Sequence, residues 1–297
     1  MKQTRMNRRE VIKTGSVFFG AISMGGLNTL YNLSGTWKSG AKMPILFVGH
    51  GSPMNAIEDN SYSRTWKELG SELPLPTAIL SVSAHWITQG NTKVSVTKIP
   101  ETIHDFGGFP KQLFDVQYKA PGSPDYAKQT IQLLNKSHAQ ADLYQGLDHG
   151  TWSVLINMYP GANIPVYQLS IDYSKPPEYH FNLMKDLQIL RNKGVLVMGS
   201  GNIVHNLSRM QMNGMTHDWS IEFDAHIKSY LDKGDYHSVV NFQNLGTLAK
   251  LAHPTHDHFL PLLYTIGMAD KNDTLSYFNE GFDLGSISMR SLIFHNA

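Results

Sequence analysis

The chain has 297 residues, 41% of them hydrophobic and 16% charged, with a formal net charge of +1. That size and composition suit one large globular domain or two small ones, and the absence of any basic run in the body excludes an electrostatic nucleic-acid surface. There are no cysteines, so disulfides, thiolate catalysis and Cys-based zinc sites are excluded, while 14 histidines leave His, Asp and Glu as the material for any metal site.

The N-terminal segment, residues 1–42, reads differently from the rest. Lys2, Arg5, Arg8 and Arg9 precede a mildly apolar, glycine-rich stretch from Gly15 to Leu27. This stretch is too short and too glycine-rich for a membrane span, which needs about 20 apolar residues. Asn7-Arg8-Arg9-Glu10-Val11-Ile12-Lys13 resembles the twin-arginine export motif, a route used by proteins that fold before crossing the membrane. That resemblance implies recognition by the export machinery and a periplasmic location. No small-x-small cleavage site follows, so an uncleaved segment would remain as an anchor. The alternative is a frayed amphipathic helix.

Residues 43–297 contain no linker, repeat or low-complexity stretch and read as one domain. Apolar runs predict strands at Pro44–Val48, Ala78–Ser83, Val94–Thr97, Val166–Ile171, Val195–Met198 and Ile287–Phe294. Between them, Asp125–Leu134 and Tyr179–Leu190 have helical spacing, as do Trp219, Phe223, Ile227 and Tyr230, and short helices are expected near Trp152 and over Phe259–Tyr264. Strands alternating with helices predict a single-domain α/β sandwich whose central mixed, largely parallel sheet is flanked by helices.

Three of the apolar runs end on a histidine. "MPILFVGHGSP" reaches His50, "AILSVSAHW" reaches His85, and "VLVMGSGNIVHNL" reaches His205 through Gly199-Ser200-Gly201. Loops at the carboxyl ends of strands in an α/β sheet bring side chains from distant parts of the chain together, so the three predict one shared site. A single strand-end histidine would more often be structural. "AHPTHDHFLPLLY" adds His253, His256 and His258, of which one or two should point inward, with His258 opening a helix. His149 in "LDHGTWSVL" is a fifth candidate. The other histidines read as surface or structural, with His104 in "IHDFGGFP" the least certain of them. Neutral imidazoles at strand ends suit zinc or iron(II). Asp148 and Asp257 are the carboxylates adjacent to these histidines, and neither shares the strand-end placement. The residues alone point to a His-rich metal site and do not separate an oxygenase from a hydrolase.

Eight segments carry the reading further: "GHGSPMN" (49–55), "SAHW" (83–86), "TIHDFGGFP" (102–110), "APGSP" (120–124), "DHGTW" (148–152), "QLSID" (168–172), "GSGNIVHNL" (199–207) and "HFLPLLY" (258–264). In order and spacing they resemble the 4,5-DOPA extradiol dioxygenase family of class III ring-cleaving enzymes, over essentially all of 43–297. The resemblance implies an α/β sandwich that uses O2 to open a catechol such as DOPA beside the diol, giving a muconate semialdehyde or seco-DOPA. It implies that His50 and His85 are metal ligands and that His205 and His258 are the other two active-site histidines. His258 is then expected as third ligand, His205 as base close to or on the metal, and His149 as a contact to the substrate hydroxyls. The metal implied is Zn2+, with Fe2+ as the alternative; zinc offers no redox path, so either Fe2+ is the working metal or bound zinc reflects availability. Two other functions fit a His-rich site: a zinc hydrolase, which lacks a HExxH-type motif here, and a non-catalytic metal-binding protein, against which the complete histidine set argues.

Overall fold

The computed structural model describes residues 42–296; the leader and export reading, Lys42 apart, lies outside the described residues. Six strands form the central sheet: β1 (Ile45–Gly49), β2 (Ala78–Ser83), β3 (Val166–Gln168), β4 (Val195–Gly201), β5 (Asp273–Phe278) and β6 (Ser291–Asn296). Their order is β3-β2-β4-β1-β6-β5. β1 to β4 are mutually parallel, and β6 pairs antiparallel with both β1 and β5. The expected mixed, largely parallel sheet is therefore present.

Alternation along the strands produces two cores. Ile45, Phe47, Leu80, Val195 and Val197 face one side, where they meet α4 (Pro177–Leu183), α5 (Asp218–Asp232) and α6 (Leu260–Met268). Leu46, Val48, Ile79, Leu196 and Met198 face the other, against α1 (Ser61–Glu72) and α3 (His149–Met158). Strands buried on both faces read as continuous apolar runs, which is why they stand out in the sequence. Helix α2 (Pro124–Leu133) lies where the sequence places it, within a residue at each end. Among the described residues no helix is long and apolar enough to cross a membrane.

Several expected elements are broken. The run Val166–Ile171 divides into β3 and a two-residue strand, Ile171–Asp172, that pairs with Ile87–Thr88 outside the main sheet. Lys93–Ser95 likewise forms its ladder with Gln140–Asp142 outside the main sheet, with a single bridge from Val94 to Leu169. Ile287–Phe294 divides around Met289-Arg290, its first part pairing back onto Phe282–Asp283. The helical stretch Tyr179–Leu190 becomes α4, a tight turn over Met184–Leu187 and a short helix Ile189–Asn192. The last expected helix starts at Leu260 and runs to Met268, so His258 precedes it rather than opening it.

Candidate active site

Strand register brings the histidines together. Gly49 pairs with Gly201 and Ser83 with Ser200, so β1, β4 and β2 end side by side. His50 follows β1, its N–H donating to Gly201 O at 3.1 Å, and His85 lies two residues past β2. The Gly-Ser-Gly end of β4 serves both sides of the sheet. A Cβ on Gly201 would lie 2.2 Å from His258 O, so only glycine lets the His258 backbone sit against this strand, where it accepts the Asn202 N–H at 2.8 Å. Ser200 points to the opposite face, toward α3 and His50.

The imidazoles form a compact cluster. His50 Nε2 and His85 Nε2 are 3.2 Å apart. Ring centroids of His258 lie 5.4 Å from His50 and 4.9 Å from His85, and His149 lies 3.8 Å from His85. His205 stacks on His258 at 3.5 Å with the planes 5° from parallel. One ligand atom from each of His50, His85 and His258 lies within 4.8 Å of the others, and the same holds for His85, Asp105 and His149. Of the 253–258 histidines only His258 joins the cluster. The His253 Nε2–H donates to Ile203 O at 2.6 Å, and His256 stacks on Tyr173.

Hydrogen bonds fix which nitrogens are free. Ser200 Oγ–H donates to Gly150 O at 2.5 Å, so the same oxygen accepts from His50 Nδ1–H at 3.0 Å. Asp257 accepts Nδ1–H of His258. Both rings are left with a bare Nε2, the carboxylate- or hydroxyl-supported arrangement usual for a metal-binding histidine. Burial first, then the neighbouring imidazoles, pushes His50 and His85 well below the ordinary histidine range. The same causes, with His258 the main neighbour, lower His205 to about 2. The rings are therefore neutral, the form that binds a metal. Three imidazoles gathered within one ion's reach, with His50 and His85 held neutral, fit zinc or iron(II).

Three carboxylates support this cluster. Asp257 backs His258 through a hydrogen bond its neighbour makes, although it lies beside a helix start and not at a strand end. Asp148 caps α3 through the Thr151 N–H at 3.1 Å and accepts from Ser83 Oγ at 2.5 Å and Gln168 Nε2 at 2.6 Å. Burial, then the nearby Asp105 charge, raises its pKa. Asp105 was not singled out by the sequence; it reaches His85 and His149 from the loop 103–110. Burial alone would raise Asp105, but His149 outweighs it and holds the carboxyl below its usual range. Beside it Phe106 meets the His149 ring edge-on at 5.5 Å and packs with Phe109 and Phe114, forming an aromatic wall next to the imidazoles. The only local signal for this loop was the Phe-Gly-Gly-Phe turn after His104. His104 itself stays outside the cluster, its ring nitrogen against Val116 O at 3.0 Å.

An α/β sandwich with histidines gathered at the carboxyl ends of its parallel strands defines a metal-competent site of the kind enzymes use. Residues 44–285 match the family described as the catalytic LigB subunit of aromatic ring-opening dioxygenase, and the chain belongs to it. It is 46% identical to a 4,5-DOPA dioxygenase extradiol of Escherichia coli K12 over 86% of this chain and 95% of that one. It is 38% identical to the protein of the same name from Beta vulgaris over 84% and 95%. A solved structure of an uncharacterized Escherichia coli K12 protein superposes with a TM-score of 0.74 at 40% identity, covering 84% of this chain and 99% of that one. The chain is thus an extradiol ring-opening dioxygenase, a class that acts on a small molecule with O2 and depends on a metal.

Proposed function

We propose that this dioxygenase opens a catechol such as DOPA by 4,5-extradiol cleavage, with His50, His85 and His258 holding the metal. The observation that carries the reading is the gathering of a ring nitrogen from each of three histidines within one ion's reach, beside two further histidines and an aromatic wall. Zinc is the metal the family resemblance implies, and iron(II) is the alternative. When bound there, a divalent ion supplies Lewis-acid lowering of the catechol pKa and, as iron(II), the electron path zinc lacks.

The chain's own residues do the rest. The Phe106 wall offers an edge and face to an aromatic ring. His149 is placed to hydrogen-bond a substrate hydroxyl. His205 stays unprotonated at neutral pH, so its ring nitrogen can take the catechol proton. A substrate anion next to it opposes the lowering that burial imposes and strengthens it as a base when substrate arrives. Oxygen uptake with a panel of catechols, on iron-loaded and zinc-loaded protein, tests the assignment. Uptake with iron and a yellow semialdehyde product is the expected result; no uptake with any catechol under either loading would remove it.

We also propose that residues 1–42 export the folded domain to the periplasm by the twin-arginine route. Replacing Arg8 and Arg9 by Lys should leave folded protein in the cytoplasm, and unchanged periplasmic yield would refute the motif.

A further inference from the structure

Asp105 touches two clustered histidines at once. Its Oδ2 lies 3.3 Å from His85 Nδ1 and 3.0 Å from His149 Nδ1, while Oδ1 accepts the backbone N–H of His149 at 2.9 Å. The last contact pins the carboxylate to the first residue of α3. Neither approach to Nδ1 has hydrogen-bond alignment, so both are electrostatic contacts rather than hydrogen bonds. Proximity is enough for the argument. A bare Nδ1 would set a lone pair against an anion, whereas an N–H there meets it favourably.

The consequence falls on the opposite nitrogen, because a neutral imidazole carries one proton. With that proton on Nδ1, His85 turns a bare Nε2 toward His50 Nε2, 3.2 Å away. His50 Nε2 is also bare, since Ser200 takes the His50 Nδ1–H. Without Asp105 the other tautomer of His85 would be better, because its Nε2–H would hydrogen-bond to His50. Neither nitrogen would then be open to a metal. We propose that Asp105 is a positioning residue that holds His85 and His149 as Nδ1–H tautomers, and so keeps His85 a metal ligand rather than a hydrogen-bond donor to His50. The proposal rests on reading His50, His85 and His258 as the ligands.

The test uses the full chain, freed of metal and labelled with 15N-histidine. Nitrogen shifts report the His85 tautomer, and titration with zinc and with iron(II) reports affinity. Wild type should show Nδ1–H at His85. Asp105→Asn keeps the size but can turn an amide donor toward Nδ1. It should convert His85 to Nε2–H and weaken metal binding about 10–100-fold, the range for losing such a supporting partner. Asp105→Glu keeps the carboxylate and should recover part of the affinity. An unchanged tautomer and affinity in Asp105→Asn would overturn the proposal. So would wild-type His85 found as Nε2–H, a result that needs no variant to fold. Neither readout involves substrate, so a failure of ring cleavage refutes the catechol assignment and leaves this one standing. A wild type that binds neither ion would overturn the ligand reading and, with it, the role given to Asp105.

Discussion

His205 and His258 stack ring on ring, yet only His258 has its Nδ1 backed by a carboxylate and its other nitrogen among the candidate ligands. Alanine at each should therefore fail differently. His258→Ala should lose metal, because two imidazoles and water hold a divalent ion far less tightly than three. His205→Ala should keep metal and bind catechol but turn over about 10²–10⁴-fold more slowly, with partial recovery at higher pH as the substrate ionises unaided. Elemental analysis with turnover against pH separates the two, and metal-free His205→Ala beside metal-replete His258→Ala would reverse the roles. These histidines are legible in the sequence because four of the five sit beside conspicuous apolar runs. Asp105 and Ser200 are not. Their partners His149, His85 and His50 are brought to them only by tertiary folding, and no local periodicity or cap links the pairs.

At the level of elements, the paired glycines of β4 decide how closely α6 and the His258 turn approach the sheet. A Cβ on Gly199 would lie 2.6 Å from Pro261 O, and one on Gly201 would lie 2.2 Å from His258 O. Both obstacles are backbone and cannot step aside. Gly201→Ala should cost about 1–3 kcal/mol, the range for overpacking a core, and should weaken metal binding by moving His258 outward. Chemical unfolding together with metal titration checks this; a variant of wild-type stability and affinity would show the turn to be pliable. Strands with two buried faces were readable from their continuous apolar runs. β5 was missed because Asp273-Thr274-Leu275-Ser276-Tyr277-Phe278 is a half-exposed edge strand with polar residues through it. Helix α1 was missed as well. Its signal was the Asn60 cap, whose side chain receives the Ser63 N–H while Ser63 Oγ receives the Asn60 N–H. The breaks inside Val166–Ile171 and Ile287–Phe294 follow from pairing partners far along the chain, which no run of apolar residues announces.

Across the whole molecule, the chain enters at the end of the sheet opposite the site. Met43 N–H donates to Arg191 O, and the buried Arg191 returns a bond to Met43 O while pairing with Asp273. Lys42 and Met43 therefore lead into β1 at the end away from His50. Stability should also depend on pH through histidines that serve packing rather than chemistry. Burial lowers His180 from the ordinary 6.5 to about 4, where Nδ1 meets Tyr264 OH at 2.8 Å. The unfolded chain binds this proton more readily than the folded one. Stability is therefore full above about pH 6.5 and falls as the pH drops toward 4, by on the order of 3 kcal/mol for this group. His180→Gln should flatten the slope of unfolding free energy against pH by about one proton in that window; an unchanged slope would show that His180 does not set it. The central claim concerns the reaction itself, and isotopic oxygen reads it most directly. Iron-loaded protein turning over DOPA or a simpler catechol under 18O2 should place both labelled atoms in one ring-opened product. A product labelled only from water, or a catechol recovered intact with its metal site filled, would contradict it.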